Sequence, residues 1–182
     1  MHIPASTSLR DFGQILTDAG VVGSQRAFVD AADGRALPAG YFQLPTGISA
    51  ATAVSMLEGD GHRVGWLVIP EGLQLDSKEG ADGQTTRGIF AMLAEATAVD
   101  AGGETYGVTV DELEQAAATE SVSALGIPDW AQAPVAKLTG DHRRIEGLIA
   151  PGAWEDLDPR QSATELLKDL ISRSNVRFEA WG

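Results

Sequence analysis

Carboxylates beside apolar stretches are the residues of this sequence whose type and position could support catalysis. Glu71 follows the run Trp66–Pro70, and Glu146 precedes the run Gly147–Ala150. Burial beside such runs raises the pKa of a carboxyl group, and a carboxyl that stays protonated can act as a general acid. The spacing fits a second interpretation as well, in which both glutamates are solvated residues at strand ends. Charged residues at strand ends are common, so this interpretation is the simpler one.

The sequence predicts no metal site. Its histidines are His2, His62 and His142, and none of them has the H-E-x-x-H spacing or another spacing typical of ligands. We expect His62 and His142 to be solvated turn residues. The chain contains no cysteine, which excludes disulfides, thiolate metal sites and a cysteine nucleophile.

Motifs for nucleophilic catalysis and for cofactors are also missing. The sequence has no G-x-S-x-G nucleophile elbow and no phosphate-binding G-x-x-x-x-G-K-[ST] loop. Lys78, Lys137 and Lys168 lie in a loop, an irregular segment and a helix surface, where nothing favours a Schiff base with pyridoxal phosphate. An unrelated acidic cytosolic enzyme with that cofactor is therefore the least supported interpretation, and we expect no cofactor.

The charge balance limits the classes of partner. Lys and Arg total 13 against 26 Asp and Glu, which gives a formal net charge of -13. An acidic surface repels phosphate backbones and anionic lipid, so we expect no nucleic acid partner and no membrane contact. The run "VGWLVIP" is too short to span a bilayer, and the N-terminus has no signal-peptide pattern.

The first third of the chain predicts the order strand, helix, helix, strand, helix. A short extended piece lies at Ile3–Pro4, and "AGYFQLPTG" is typical of a strand between glycines. Three segments have apolar residues at helical spacing. Each is preceded by a serine whose side chain can accept a hydrogen bond from a backbone N–H of the first helical turn. The predicted caps are Ser6 or Ser8, Ser24, and Ser49.

The rest of the chain mixes strands, loops and helices. We predict a continuous strand over "VGWLVIPEG", a loop over Asp76–Thr86, and a helix over "RGIFAMLAEATAV" capped by Thr85 or Thr86. "VDAGGETYG" predicts a turn, and Thr109 with Glu112 has the spacing of a capping box. "GIPDWAQAPVAKLTGDHRR" is expected to be irregular. A strand over "GLIA", with Glu146 at its start, and a helix over "SATELLKDLISRS" complete the prediction.

The order of these pieces resembles the YceG/MltG family of endolytic murein transglycosylases. "IPASTSLRDFGQILTDAGVVGSQRAFVDAA" is similar to the opening segment of the family, and "LPAGYFQLPTGISAATAVSMLEGDG" to its Gly-Tyr strand and following helix. "WLVIPEG" is similar to a strand ending in Ile-Pro-Glu-Gly. "IEGLIAPGAWEDLDPRQSATELLKDLI" is similar to the Glu-Gly-aromatic-x-x-Pro segment with its helix.

The resemblance implies an α+β fold in two parts. Residues 1–61 would form a small LysM-like module of βααβ type, and residues 62–182 the first part of a mixed α/β catalytic domain. It also implies a protein with a single membrane-spanning anchor and an extracytoplasmic domain. The anchor is not in this sequence, so we expect that it was removed.

The resemblance further implies an activity that this chain should not have by itself. In the family, one glutamate protonates the MurNAc–GlcNAc glycosidic oxygen, and the C6 hydroxyl of the same MurNAc attacks to give a 1,6-anhydro end that terminates the glycan strand. That glutamate lies in an Ala-Ser-Ile/Leu-Val-Glu-[Lys/Arg]-Glu helix, which this sequence lacks. We therefore expect an inactive fragment with no catalytic residue.

The same resemblance implies the substrate-binding residues and the partners. Glu146, Gly147 and the break at Pro151 would form one wall of a glycan cleft with Trp154 at its rim. Glu71 would also bind substrate, and Tyr41 would contact glycan in the LysM-like module. The family's Pro-Asp-Thr-Tyr is replaced here by Pro-Gly-Ala-Trp, so its polar groups are lost. The expected partner is a peptidoglycan strand. The alternative is a non-catalytic module that binds peptidoglycan or cell-wall synthesis proteins.

Overall fold

The computed structural model describes residues 1–181, in which seven α-helices alternate with short antiparallel strands. This is the predicted α+β fold class. The chain divides into two units, one formed by Met1–Trp66 with Glu155–Leu157 and the other by the remaining residues. The passage from the first unit to the second comes after Trp66. The LysM-like nature of the first unit stays a prediction.

The first unit has the predicted order of elements. In chain order these are β1 (His2–Ile3), α1 (Leu9–Asp18), α2 (Gln25–Ala32), β2 (Gly40–Phe42), α3 (Ala50–Glu58), a 3-10 turn (Asp60–His62) and β3 (Arg63–Val64). The three strands form one antiparallel sheet in the order β1, β2, β3. Tyr41 on β2 is paired with His2 on one side and with Val64 on the other.

Serine caps begin the three helices of the first unit, as their sequence pattern predicts. Ser8 accepts from the backbone N–H of Asp11, and Ser24 and Ser49 make the equivalent contacts with α2 and α3. Each cap satisfies one of the N–H groups that have no partner inside a helix. Ser6, the other candidate for α1, has a φ of 61° and does not cap the helix.

Apolar faces of the helices and sheet meet in the core of the first unit. The rings of Phe12 on α1 and Phe28 on α2 stack with their centroids 5.6 Å apart. The buried members of this core are Ile3, Phe12, Leu16, Val21, Val22, Phe28, Ala32, Phe42, Ala53, Val54 and Leu57. Burial of such side chains stabilises a fold by about 1.5–3 kcal/mol each, before the entropy cost of ordering them.

The predicted continuous strand "VGWLVIPEG" is wrong, because the chain turns at Gly65 and continues in another sheet. Gly65 has a φ of 67°, a region that residues with a Cβ rarely adopt. Its carbonyl accepts from the N–H of Leu157, and a Cβ at Gly65 would collide with the Leu157 backbone. The turn therefore separates β3 from the next strand, although the apolar sequence runs straight through it.

The second unit contains the remaining elements. In chain order these are β4 (Leu67–Ile69), β5 (Lys78–Glu79), β6 (Thr85–Thr86), α4 (Ile89–Thr97), β7 (Val99–Ala101), β8 (Glu104–Tyr106), α5 (Val110–Thr119), α6 (Asp129–Lys137), a 3-10 turn (His142–Ile145), β9 (Gly152–Trp154) and α7 (Ala163–Trp181). Its strands form three antiparallel pairs: β4 with β9, β5 with β6, and β7 with β8. α5 packs against α4, α7 and the 3-10 turn.

Asp76–Thr86 is not a structureless loop, because it contains the β5–β6 hairpin. Thr85 and Thr86 lie in β6, so neither caps α4. The N–H groups of Ile89 and Phe90 instead donate to the carbonyls of Gln74 and Leu75, at 2.9 and 3.1 Å. The backbone carbonyls of Gln74 and Leu75, which precede the hairpin, thus take the place of the side-chain cap that the sequence predicted.

Two further predictions for this unit need correction. The turn predicted in "VDAGGETYG" occurs at Gly102 and Gly103, which both adopt the positive φ that a tight turn requires, but the residues on either side of it pair as β7 and β8. The segment expected to be irregular contains α6, which begins after Pro128 and includes Pro134. Proline usually disfavours a helix interior, and it misled the prediction here. The Thr109–Glu112 capping box of α5 is confirmed.

Glu146 does not begin a strand. The run after it is buried at Leu148, Ile149 and Ala150, but it forms turns, and the N–H of Ala150 donates to the hydroxyl of buried Ser174 on α7 at 2.8 Å. The strand of this region is β9, beyond Pro151. α7 extends past the predicted "SATELLKDLISRS" to Trp181. In the described chain no helix combines the length and apolar character needed to cross a membrane.

Candidate functional site

A polar pocket of about 400 Å³ lies in the second unit between the segment after β4 and the 3-10 turn. Its lining residues are Gln74, Asp76, Lys78, Leu138, Asp141, Arg143 and Glu146. Three carboxylates and two cations thus face one cavity, together with an amide and a single apolar side chain. Such a lining can hold a ligand that carries many hydroxyl and amide groups.

Glu146 connects the two walls of this pocket. It follows the 3-10 turn, and its Oε1 accepts from the N–H of Leu75 at 3.1 Å. Leu75 is buried, so this bond fixes the backbone of the opposite wall. Gly147, the next residue, is exposed and has a φ of 80°. The structure therefore gives Glu146 a positioning contact that its place in the sequence did not reveal.

Asp141 and Arg143 form a local pair in the lining of the pocket. The Asp141 carboxylate accepts from the Arg143 backbone N–H at 2.9 Å and lies 3.5 Å from its Nε. This backbone hydrogen bond, helped by the nearby guanidinium, lowers the pKa of Asp141. Asp141 is therefore ionised at neutral pH and suits hydrogen-bond acceptance rather than proton donation.

His142 contacts Asp76 from the other side of the same segment. The distance from its Nε2 to Asp76 Oδ1 is 2.7 Å, and its ring lies 6.2 Å from that of Phe90. His142 is only partly exposed, so the expectation of a solvated turn residue is wrong. Glu114 on α5 brings a third ligand-type oxygen close to this pair. The pair is separated by 66 residues, and no local spacing signals it.

Trp154, expected at the rim of a cleft, is fully buried. The guanidinium groups of Arg173 and Arg177 lie over its ring, at 4.9 and 4.0 Å from the centroid. Its Nε1 donates to the carbonyl of Ala150 at 3.2 Å. Trp154 is the one buried residue of β9, so its ring lies inside the unit. Trp154 is therefore a core residue covered by two arginine side chains, and its ring offers no surface on which a sugar could stack.

The other predicted site residues are dispersed. Glu71 is exposed in the turn after β4 and does not line the pocket. Tyr41 lies in the first unit, half-buried, with its ring stacked on that of His2 at 4.4 Å. Of the predicted site residues, only Glu146 lines the pocket; Gly147 follows it in the chain but is not among the lining residues. Gln74, Lys78, Asp141 and Arg143 are pocket residues that sequence reasoning missed.

A larger cavity of about 700 Å³ lies at the start of α5 and α7. Its carboxylates include Glu112 and Glu165, which accept from the backbone N–H groups of Thr109 and Ser162. These hydrogen bonds lower the pKa of both glutamates. Since the two carboxylates complete helix caps, we regard this cavity as structural and the smaller polar pocket as the candidate site.

Comparison with known proteins identified a family and solved structures to which this chain is similar. The model of the YceG-like family matches residues 1–181. A 2.6 Å crystal structure of a YceG-like protein from Listeria monocytogenes is 21% identical, with a TM-score of 0.42, over 99% of this chain and 55% of that chain. The chain therefore spans about half the length of that protein. A comparison with curated proteins found no significant match.

Proposed function

This chain belongs to the YceG-like family, and on that premise we propose that it forms the glycan-binding part of an endolytic murein transglycosylase. Such an enzyme cleaves the bond between MurNAc and GlcNAc in nascent peptidoglycan and leaves a 1,6-anhydro end that terminates the strand. We further propose that this chain is part of a membrane-anchored protein and acts outside the cytoplasmic membrane. The observation that carries the proposal is the family match along the chain.

The chemistry of the polar pocket supports a glycan ligand. Lys78 and Arg143 can donate to sugar hydroxyls and acetyl carbonyls, while Glu146 and Gln74 can accept from hydroxyls and amides. The pocket lies beside the Ile-Pro-Glu-Gly and Glu-Gly segments on which the family resemblance rested. Its mixed charge also suits the peptide stems of murein, which carry both amines and carboxylates.

The sequence lacks the Ala-Ser-Ile/Leu-Val-Glu-[Lys/Arg]-Glu motif that carries the general acid in the family. A general acid must keep its proton near neutral pH, which requires a raised pKa. The pKa of Asp141 is lowered by the Arg143 N–H. Glu146 is exposed, and its carboxylate accepts a hydrogen bond from the Leu75 N–H, so the structure gives it a positioning contact. We therefore propose that the chain binds glycan without cleaving it.

Turnover is tested by incubating the purified chain with intact sacculi and then analysing the muropeptides by liquid chromatography and mass spectrometry. We expect no 1,6-anhydro product above that of a buffer control, with a known lytic transglycosylase as the positive control. Release of 1,6-anhydro muropeptides in proportion to this chain would disprove the proposed inactivity, while leaving the substrate class standing.

Binding is tested by co-sedimentation with the same sacculi at moderate salt. We expect the wild-type chain to be retained, and Arg143→Ala and Glu146→Gln to be retained several-fold less. Arg26→Ala is the matched control, because Arg26 is a highly exposed arginine of the first unit. Circular dichroism confirms that each variant is folded. Equal retention of all four proteins would exclude the pocket as the binding site.

A second candidate function is a binding module that uses the first unit alone. The observation in its favour is Tyr41, whose ring stacks on His2 beside the β1–β2 pair and offers an aromatic surface for sugar. In the same assay Tyr41→Ala distinguishes the candidates. A loss of retention in Tyr41→Ala, with Arg143→Ala unchanged, would favour this module. If the chain binds neither sacculi nor isolated glycan strands, the result would favour docking to a cell-wall synthesis protein.

A further inference from the structure

Three ionisable side chains from distant parts of the second unit meet beside the polar pocket. Asp76 lies on the segment after β4, Glu114 on α5, and His142 in the 3-10 turn. One nitrogen or oxygen of each lies within 4.8 Å of those of the other two, and all three are partly buried. We propose that Asp76, Glu114 and His142 form a three-ligand site for a divalent transition-metal ion.

The ligand chemistry of this cluster suits such an ion. Imidazole nitrogen and carboxylate oxygen bind Zn²⁺ at about 2.0–2.2 Å, which places tetrahedral ligands about 3.3 Å apart. The His142 Nε2 and the Asp76 Oδ1 are now 2.7 Å apart, so these two atoms would have to move apart by less than about 1 Å to seat the metal. The Glu114 oxygen lies within 4.8 Å of both atoms and would have to approach them by up to about 1.5 Å. Three protein ligands leave a fourth position for water. A histidine with two carboxylates also suits Mn²⁺ and Co²⁺.

The charge of the cluster favours a cation over an empty arrangement. Two carboxylates face one imidazole, and even a protonated His142 would neutralise only one of them. Negative charges held close together and partly away from water repel each other, and a divalent ion offsets both. The net charge of -13 further raises the local concentration of cations.

Neighbouring contacts hold the backbone of each ligand. Asp76 lies between Leu75, whose N–H is bound by Glu146, and Ser77, whose hydroxyl accepts from the N–H of Gly88 at 2.9 Å. The His142 ring lies beside Phe90. α5, which carries Glu114, begins at a complete capping box. Such fixed supports lower the entropy cost of metal binding.

The simpler interpretation is an Asp76–His142 ion pair with Glu114 nearby by coincidence. The two interpretations differ in Glu114, because an ion pair does not need it and a metal site does. They also differ in how many of the three ligand substitutions weaken metal binding, because a metal site predicts that each of them does. A test must therefore include both Glu114→Gln, which keeps the shape of the side chain, and His142→Ala.

The experiment uses the metal-free chain after chelator treatment, with Zn²⁺ as the probe in isothermal titration calorimetry. We expect one Zn²⁺ per chain, and at least about a ten-fold loss of affinity in Glu114→Gln and in His142→Ala. His62→Ala is the matched control and should bind like the wild type. Melting temperatures of the metal-free variants show that they are folded, and saturating Zn²⁺ should raise the wild-type value.

A second readout follows the histidine rings by NMR. The sequence has only three histidines, so their ring signals can be assigned by substitution. We expect Zn²⁺ to shift the His142 signals and to leave those of His2 and His62 unchanged. No binding, or binding that Glu114→Gln and His142→Ala leave unaltered, would overturn the proposal. The proposal would also be overturned if Ca²⁺ raised the melting temperature of His142→Ala as much as that of the wild type, because a site made of oxygen ligands alone needs no imidazole.

Discussion

At the scale of single residues, Arg144 shows how a charged side chain becomes part of a core. It is 5% exposed, and its guanidinium donates to the carbonyls of Ala117 and Glu120 and to the Thr139 hydroxyl. The two carbonyls belong to the last turn of α5 and to the residue after it, where acceptors have no partners inside the helix. The burial also lowers the pKa of Arg144, but the group stays charged.

We predict that Arg144→Met lowers the free energy of unfolding by about 2–4 kcal/mol, because it leaves buried carbonyl groups without donors. Urea denaturation followed by circular dichroism measures the change. Arg26→Ala is the control, since the Arg26 side chain is 92% exposed and its ion pair with Asp30 should contribute less than about 1 kcal/mol. Equal losses in the two variants would refute the role given to Arg144.

At the scale of elements, local hydrogen bonds at helix starts were the most predictable feature of this chain. The Thr109 hydroxyl accepts from the Glu112 N–H, and the Glu112 carboxylate accepts from the Thr109 N–H. These contacts involve residues three apart, so the spacing of the side chains suffices to predict them. The side-chain cap predicted for α4 does not form, because N–H groups at the start of this helix donate hydrogen bonds to backbone carbonyls of a preceding segment.

We predict that Thr109→Ala lowers the free energy of unfolding by about 1 kcal/mol, through loss of the capping box. The pKa of Glu112 is lowered chiefly by the Thr109 N–H and also by the Thr109 hydroxyl, so it should rise when the hydroxyl is removed. A pKa lower in the folded chain than in the unfolded chain stabilises the fold at neutral pH. This contribution disappears as the pH falls through the folded-state pKa.

NMR titration of the Glu112 side chain, in wild type and Thr109→Ala, measures this shift directly. Ser123→Ala serves as the control, because Ser123 is exposed and should change stability by less than about 0.5 kcal/mol. An unchanged Glu112 pKa in Thr109→Ala, or a loss of stability no larger than in Ser123→Ala, would show that the capping box contributes nothing in solution.

At the scale of the whole molecule, the chain does not finish one unit before it starts the other. Glu155–Leu157 returns to the first unit after β9, and the chain then continues into α7 in the second. Leu157 is fully buried, and its N–H donates to Gly65 at 3.0 Å. The first unit therefore needs a segment that lies far along the sequence.

We predict that Leu157→Ala destabilises the first unit by about 2–4 kcal/mol, as expected for a buried leucine. Hydrogen exchange should speed up at amides of α1 and α2 in this variant. Leu170→Ala is the matched comparison, because Leu170 is equally buried but lies on α7. It should instead speed exchange at α5 and α7. Faster exchange confined to α7 in Leu157→Ala would contradict the division of the chain.

The sequence by itself determined the α+β class, the first five elements, the serine caps, the capping box of α5 and the family. All of these depend on residues a few positions apart, or on the order of short motifs, and local physics acts at those distances. Only the tertiary structure decided the break at Gly65, the β5–β6 hairpin, the burial of Trp154, and the meeting of Asp76, Glu114 and His142. The β5–β6 hairpin joins residues close in sequence, but its strands are too short and polar for their pattern to predict them. The other three features depend on partners distant in sequence, whose approach no local pattern records.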